Sequence, residues 1–476
     1  MRNKEILFWS VIILICVLAL VSRFALLEER VLHHDEGVNY FFAEKIVSGK
    51  GFFYEPLNYH GPFYFFFLSL SFLIFGINEF GLRFPAAVFG VLSVLAPLFF
   101  KIGRWRERVV GAIFLLLSPS LMYYSRYSIH ESAFVFFSLM SVYFLSLILE
   151  KKSLKYLPFL AGSLGALLIT KETAIIMLFV LFVIGVVNYK KIREIKFRSN
   201  GKIVLMSAFI FILIYVVFFT SFFSNIAGIE DSFKGFMPWI ERGVGEAGHD
   251  KPFYYYFLLL GEYEWPLLMF ALVGIFYALK NRKIERVLNL NLALWAVLIF
   301  LIYSLIPYKT PWLVINLSVP LCLIAGIGAF QLRLGKLKWA FLFVGILYLG
   351  YMTIYLNFIN FSGIENKYAY VHTDKDVLRL AEKIDNAYEY NRKGILIVSD
   401  EYWPLPFYLH GKSVNYLKEE GFMPDESLRE RYDIFIVRDK IFKARDWGGY
   451  KYQEGFKLRD NVGLVFVGYT NGLKST

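Results

Sequence analysis

Long apolar runs recur along the chain at about 6–26, 84–100, 109–124, 132–149, 156–170, 174–188, 202–223, 264–280, 289–306, 311–330 and 338–358. Each approaches the roughly twenty residues that carry a helix across a bilayer, so the pattern predicts about eleven spans. A further run at 62–77 is short for a span and is read as a juxtamembrane or re-entrant segment. From about residue 366 the pattern becomes polar and mixed. It predicts a helix near 375–390, then strands at Ile395–Ser399, Tyr432–Val437 and Val462–Gly468 between turn residues. The expected fold is mainly α: a polytopic helical bundle over 1–359, with long outer loops at 27–83 and 224–263 and outer juxtamembrane helices. A small soluble α/β domain follows at 360–476.

Composition strengthens this picture. The 476 residues are 57% hydrophobic and 19% aromatic but only 19% charged, which excludes an ordinary soluble domain. The net charge of +12 does not point to nucleic acid, because it sits in short clusters between apolar runs. Those clusters are Arg2/Lys4, Lys101/Arg104/Arg106/Arg108, Lys151/Lys152/Lys155, Lys190 to Lys202, Lys280/Arg282/Lys283/Arg286 and Arg333/Lys336/Lys338. With all six on the cytoplasmic side, the parity of eleven spans closes and both ends of 62–77 lie outside. The expected protein is thus a multi-pass cell-membrane protein with a cytoplasmic N-terminus and an extracytoplasmic C-terminal domain, surrounded by membrane lipids. Cys16 and Cys322 both fall in apolar segments and form no metal or redox motif. Residues 6–22 resemble a signal peptide, yet no small-residue cleavage site follows, and an uncleaved first span is expected.

All seven histidines fall in segments assigned to the outside, together with most of the isolated charges. Just past the first span lies His33-His34-Asp35-Glu36; carboxylates near hydrocarbon are costly and commonly mark a site. The next outer turn carries Arg126, His130 and Glu131, where a planar guanidinium can bind phosphate or simply snorkel and pair with the acid. Lys171-Glu172 and Lys309 occupy two further outer turns, and bundling of the helices could bring these groups to one cavity. The loop at 224–263 holds Glu241, Arg242, Glu246, His249, Asp250, Lys251 and the run Tyr254–Tyr256, with glycines at 243, 245 and 248. No phosphate-cradling glycine loop occurs, which disfavours ATP-driven transport.

The order of these features resembles the GT-C glycosyltransferases, in particular the protein mannosyltransferase and lipid A aminoarabinose transferase superfamily. Asp35-Glu36 stands where that family has its acidic motif. Leu82-Arg83-Phe84-Pro85-Ala86 looks like its arginine-proline helix start, and Arg126 to Glu131 is similar to its second-loop Arg and acid. The nearest likeness is to an archaeal branch associated with lipid-linked sugar flipping and glycosylation. The chain departs at His60-Gly61-Pro62, where the aminoarabinose enzymes carry a Lys before two prolines, and at Glu131, where Asp is usual.

The resemblance implies inverting transfer of a sugar from a polyprenyl or dolichyl phosphate to a glycan, lipid or protein acceptor on the extracytoplasmic side. It implies Asp35 as the base, with Glu36 and Glu131 as accompanying acids. Arg126, Lys171 and Lys309 are then candidates for the phosphate, and His34, His60, His130 and Glu172 line the substrate. No cofactor is expected. A divalent ion among His33, His34, His60, His130, Asp35 and Glu131 is the alternative, with suitable ligand types at no standard spacing. The rival function is a non-catalytic lipid-linked sugar flippase or flippase accessory that keeps the fold for binding.

Overall fold

The computed structural model describes residues 2–468 except 59, 245–248, 281–286, 364, 391–392, 424–425, 446 and 448–451. Glu246, Gly245, Gly248 and the basic residues at 282, 283 and 286 therefore lie outside the described residues. The chain divides into two compact units, one comprising Met1–Leu27 and Lys45–Tyr370, the other Glu28–Glu44 and Val371–Thr476. The acidic segment after the first helix thus groups with the C-terminal residues rather than with the helical bundle expected to hold the whole of 1–359.

Every run expected to span is helical. In chain order the structure forms α1 (Arg2–Phe24), α2 (His34–Val47), α3 (Phe63–Phe75), α4 (Glu79–Leu95), α5 (Trp105–Leu117) and α6 (Pro119–Tyr124). There follow α7 (Glu131–Lys151), α8 (Leu157–Thr170), α9 (Ala174–Val187), α10 (Tyr189–Arg193), α11 (Gly201–Phe219), α12 (Gly228–Lys234) and α13 (Met237–Val244). The first unit closes with α14 (Tyr255–Tyr263), α15 (Trp265–Lys280), α16 (Val287–Leu305), α17 (Ile315–Gln331) and α18 (Leu337–Ile354). Among the described residues six helices are long and apolar enough to cross a membrane, and α14 with α15 makes a seventh candidate bent by 113°. The other expected spans are shorter helices or are broken. The 109–124 run breaks because Pro119 disfavours helical geometry at Ser118, which instead accepts a hydrogen bond from Leu121 N as the cap of α6. With 13 residues, α3 extends about 20 Å, less than a hydrocarbon core of about 30 Å.

The middle of the first unit is α17, buried along almost its whole length, while α11 is largely exposed. Close approach centres on two glycines of α17. A Cβ at Gly326 would lie 2.4 Å from Glu107 O, and one at Gly328 would lie 1.9 Å from Phe270 O. Only a residue without a side chain lets α5 and α15 pack this tightly on α17.

The second unit is a five-stranded sheet in the order β2-β1-β3-β5-β4, from β1 (Gly394–Val398), β2 (Val414–Leu417), β3 (Tyr432–Arg438), β4 (Tyr452–Arg459) and β5 (Val462–Gly468). β1 pairs in parallel with β2 and β3; β5 runs antiparallel to β3 and β4. Alternation gives each face its own core. Ile395, Ile397, Ile434 and Ile436 pack with Val377, Leu380 and Ile384 of α19 (Asp376–Tyr390) and with Leu405 and Leu409 around α20 (Leu405–Tyr408). Leu396, Val398, Phe435 and Val437 pack on the opposite side with Trp447 and Phe422.

Candidate functional site

Three buried arginines of the first unit, Arg23, Arg83 and Arg126, are committed to helix ends. A helix leaves its last carbonyls unpaired, and inside an apolar bundle no water is at hand to satisfy them. Arg126 meets this need at the end of α1: its Nη atoms donate to the carbonyls of Ser22, Arg23, Ala25 and Leu26 at 3.0, 3.2, 2.6 and 2.8 Å. Arg83, fully buried in α4, donates to Leu27 O at 2.8 Å, and Arg23 in turn donates to Leu115 O and Leu116 O at the end of α5. The guanidinium of Arg126, expected to hold a phosphate, is therefore occupied by main-chain carbonyls. Lys309 differs from expectation in the same way. It is 1% exposed, and its ammonium donates to Lys251 O and Ile306 O, within a short pairing of 249–251 with 307–309.

The turn between α8 and α9 behaves differently. Lys171 is buried and forms an ion pair with Glu131 at the start of α7, with its ammonium 5.7 Å from the Trp239 ring centre. Glu172, also buried, accepts a 2.9 Å hydrogen bond from Tyr54 OH and lies 3.8 Å from His60 Nδ1. His60 stacks on Trp239 with ring centres 5.4 Å apart and stands 4.6 Å from the ring of His130. Burial raises the Glu172 carboxyl from its ordinary range to about 7, against the lowering effect of its own backbone N–H, Tyr54 and Lys171. Glu131, Lys171, Glu172, His60 and His130 are thus brought together. Among the described residues no group of three or more His, Cys, Asp or Glu is placed to hold a metal ion.

Lys171 and Glu172 open onto a cavity of about 240 Å³. Its walls are otherwise mostly apolar: Ile175, Ile176, Phe236, Ile240, Ile306 and Leu313, with the polar edges of Thr173, Tyr303, Tyr308 and Thr310 among them. A pocket of this make-up suits an amphipathic ligand with an apolar chain and one polar head.

Asp35, Glu36 and His34 belong to the second unit. Glu36 is fully buried, and its Oε2 accepts from His33 N at 3.0 Å, while His33 Nδ1 accepts from Asp35 N at 3.1 Å. This reciprocal arrangement caps the start of α2, so Glu36 acts there as a capping carboxylate. Asp35 and His34 are 37% exposed and pair with each other at 3.0 Å. Asp35 is the carboxylate of this motif that reaches solvent while held at a fixed helix start.

Sequence reasoning missed Tyr54, Trp239 and Glu264. Both of the first two fall in segments read from the sequence as long outer loops; Tyr54 is in irregular chain between α2 and α3, whereas Trp239 sits on the short helix α13. Glu264 is fully buried at the break between α14 and α15, where it accepts from Ser118 Oγ at 2.7 Å, Ser120 N at 3.1 Å and Tyr368 OH at 3.1 Å. A lone carboxylate at the head of an apolar run was the available sign for it.

The apolar helices are those of a multi-pass membrane protein, and the fold is of the GT-C type. Residues 59–219 match the family model described as dolichyl-phosphate-mannose-protein mannosyltransferase. The whole chain superposes on ArnT from Cupriavidus metallidurans crystallised with undecaprenyl phosphate, with a TM-score of 0.71, 14% identity and 100% of both chains covered. The apo form of that protein gives 0.66 at 14% identity over 98% of each chain. An uncharacterized protein of Aquifex aeolicus is 29% identical over 289 residues, 57% of this chain and 54% of the relative. An undecaprenyl phosphate-alpha-4-amino-4-deoxy-L-arabinose arabinosyl transferase of Wigglesworthia glossinidia brevipalpis is 26% identical over 270 residues, 54% of this chain and 46% of the relative. The chain spans about half the length of these curated relatives.

Proposed function

We propose that this chain is a membrane glycosyltransferase that takes a sugar from a polyprenyl or dolichyl phosphate and passes it, with inversion, to an acceptor on the extracytoplasmic side. The observation that carries this reading is the Lys171–Glu172 turn facing an otherwise mostly apolar cavity within a GT-C fold. The apolar wall takes the lipid chain, and Lys171 supplies positive charge opposite the lipid phosphate. We leave Arg126 and Lys309 out of the phosphate contact, because main-chain carbonyls engage them and neither borders this cavity as Lys171 does.

In the transfer, the acceptor oxygen attacks the anomeric carbon while the bond from that carbon to the phosphate oxygen breaks. The lipid phosphate leaves with the electron pair, and the acceptor proton passes to a carboxylate, which we assign as Asp35. Positive charge held in a dry site stabilises the departing phosphate strongly. Glu131 holds Lys171 in place, and His60, Tyr54 and Glu172 fix the rim of the cavity.

Two donors test the reading: undecaprenyl-phosphate 4-amino-4-deoxyarabinose and dolichyl phosphate mannose, each presented to the full chain in lipid nanodiscs together with a membrane extract of lipids, glycans and proteins as the acceptor pool, with undecaprenyl phosphate binding measured alongside. The expected result is lipid-phosphate binding with consumption of at least one donor, lost in Asp35→Asn while binding survives. Binding without consumption of either donor by the unaltered chain would favour a non-catalytic carrier, and absence of both would overturn the reading.

A further inference from the structure

Three contacts bracket the acidic motif, and all of them come from one short segment of the second unit. Before the motif, Leu32 N donates to Tyr408 OH at 2.9 Å. Just after it, Gly37 rests against Pro404, where a Cβ would lie 2.9 Å from the Pro404 Cα. One turn further, Tyr40 OH and His410 Nδ1 are 2.9 Å apart. Trp403 lies beneath the same stretch, its ring 6.3 Å from that of His34 and 5.9 Å from that of Phe41.

The 399–410 segment is itself held by the sheet. Arg459, the last residue of β4, is 7% exposed and donates from Nη2 to Trp403 O at 3.0 Å. Arg438, the last residue of β3, pairs with Glu401 at 3.2 Å and with Glu419 at 3.5 Å. Leu405 and Leu409 anchor the far end in the core below. Between the sheet and the start of α2 there is thus a continuous chain of hydrogen bonds, ion pairs and close packing.

We propose that Arg459 and Gly37, through the Trp403–Pro404 step, are positioning residues for Asp35, so that the C-terminal sheet sets the aim of the carboxylate. The proposal rests on the assignment of Asp35 as the base. The sheet then serves catalysis without touching substrate, by fixing the acidic motif within the second unit. A displacement of about 1 Å at a reacting group can cost about a hundredfold in rate, so small faults in this support are expressed in turnover.

The test uses the full chain in nanodiscs and reads turnover of the same two donors, undecaprenyl phosphate affinity, and hydrogen exchange of residues 31–40. Gly37→Ala forces the helix off Pro404, Arg459→Ala releases Trp403, and Tyr408→Phe removes one bond without changing volume. The proposal expects kcat to fall about tenfold or more in Gly37→Ala and Arg459→Ala. Affinity for undecaprenyl phosphate stays within about twofold, Arg459→Lys recovers part of the rate, and exchange at 31–40 rises in every variant but that one. Full kcat and unchanged exchange in Arg459→Ala and Tyr408→Phe, with Asp35→Asn inactive, would overturn it. If Asp35→Asn itself keeps its turnover, the base assignment fails, and the exchange data alone then decide whether the sheet holds the motif. Should Gly37→Ala not fold, Tyr408→Phe and Arg459→Ala carry the same decision.

Discussion

Two turns of the first unit, one at Arg126 and one at Lys171, look alike in the sequence and are used in opposite ways. Both place a cation between apolar helices, and both are buried. Arg126 spends its planar fork on four carbonyls at the end of α1, where five donors in a rigid plane suit several acceptors at once. Lys171, a point charge on a flexible stem, answers one carboxylate, Glu131, and borders a cavity. Charge in a membrane turn therefore does not by itself identify a ligand site; what the charge already satisfies decides.

The sharpest way to break this contrast is Arg126→Ala. It strips the partner from four carbonyls at the end of α1, one of them in a buried bond and three in part-buried ones, and at about 1 kcal/mol for each the loss is about 4 kcal/mol. Thermal unfolding in detergent should show a large fall, while the protein that remains folded binds undecaprenyl phosphate as before. Retained stability with lost binding would reverse the roles of the two turns.

Next in size is Lys171→Met, which leaves Glu131 buried without a counter-ion and costs about 3 kcal/mol. Adding Glu131→Gln should recover most of that stability and none of the lipid-phosphate affinity. Recovery of both would show that Lys171 serves only the fold.

Glu172 gives a pH signature. Its carboxyl, raised from 4.5 to about 7 by burial, keeps a proton in the folded chain that the unfolded chain has already released between those values. The contribution is present in full below about 4.5 and is lost as pH rises through about 7, a change of about 3 kcal/mol. Melting temperature should fall over that window, and Glu172→Gln should remove this part of the slope. An unchanged slope would mean that the carboxyl titrates normally. The smallest effect is expected for Tyr54→Phe, about 1 kcal/mol for one hydrogen bond to Glu172.

The hydrophobic pattern made most of the bundle legible, because spans are long and their composition is one-sided. It could not show the break at Ser118 as anything but a continuous run, although Pro119 marked it. Nor could it show that α14 and α15 meet at a sharp bend. In the second unit the buried strands β1, β3 and β5 were readable from their apolar residues. The edges β2 and β4 were not, since Val414–Leu417 is mostly exposed and Tyr452–Arg459 mixes charge with apolar positions. For the site, the sequence marked His60, His130, Glu131, Lys171 and Glu172. It had no means to show that Arg126 and Lys309 would be consumed by carbonyls, because helix-end capping depends on which helix arrives alongside. The attachment of His33–Glu36 to residues 403–410 was equally out of reach, being a contact across some 370 positions of chain.

The most direct measurement of the central claim is undecaprenyl phosphate binding to the full chain in nanodiscs, compared between Arg126→Lys and the Glu131→Gln/Lys171→Met pair. Arg126→Lys keeps a cation beside the carbonyls at the end of α1, and the paired variant removes both members of the buried ion pair together. The account predicts near-normal affinity in the first and a loss of about tenfold or more in the second, the size expected when a charge-assisted contact to phosphate disappears. Normal affinity in the paired variant together with a loss in Arg126→Lys would contradict it.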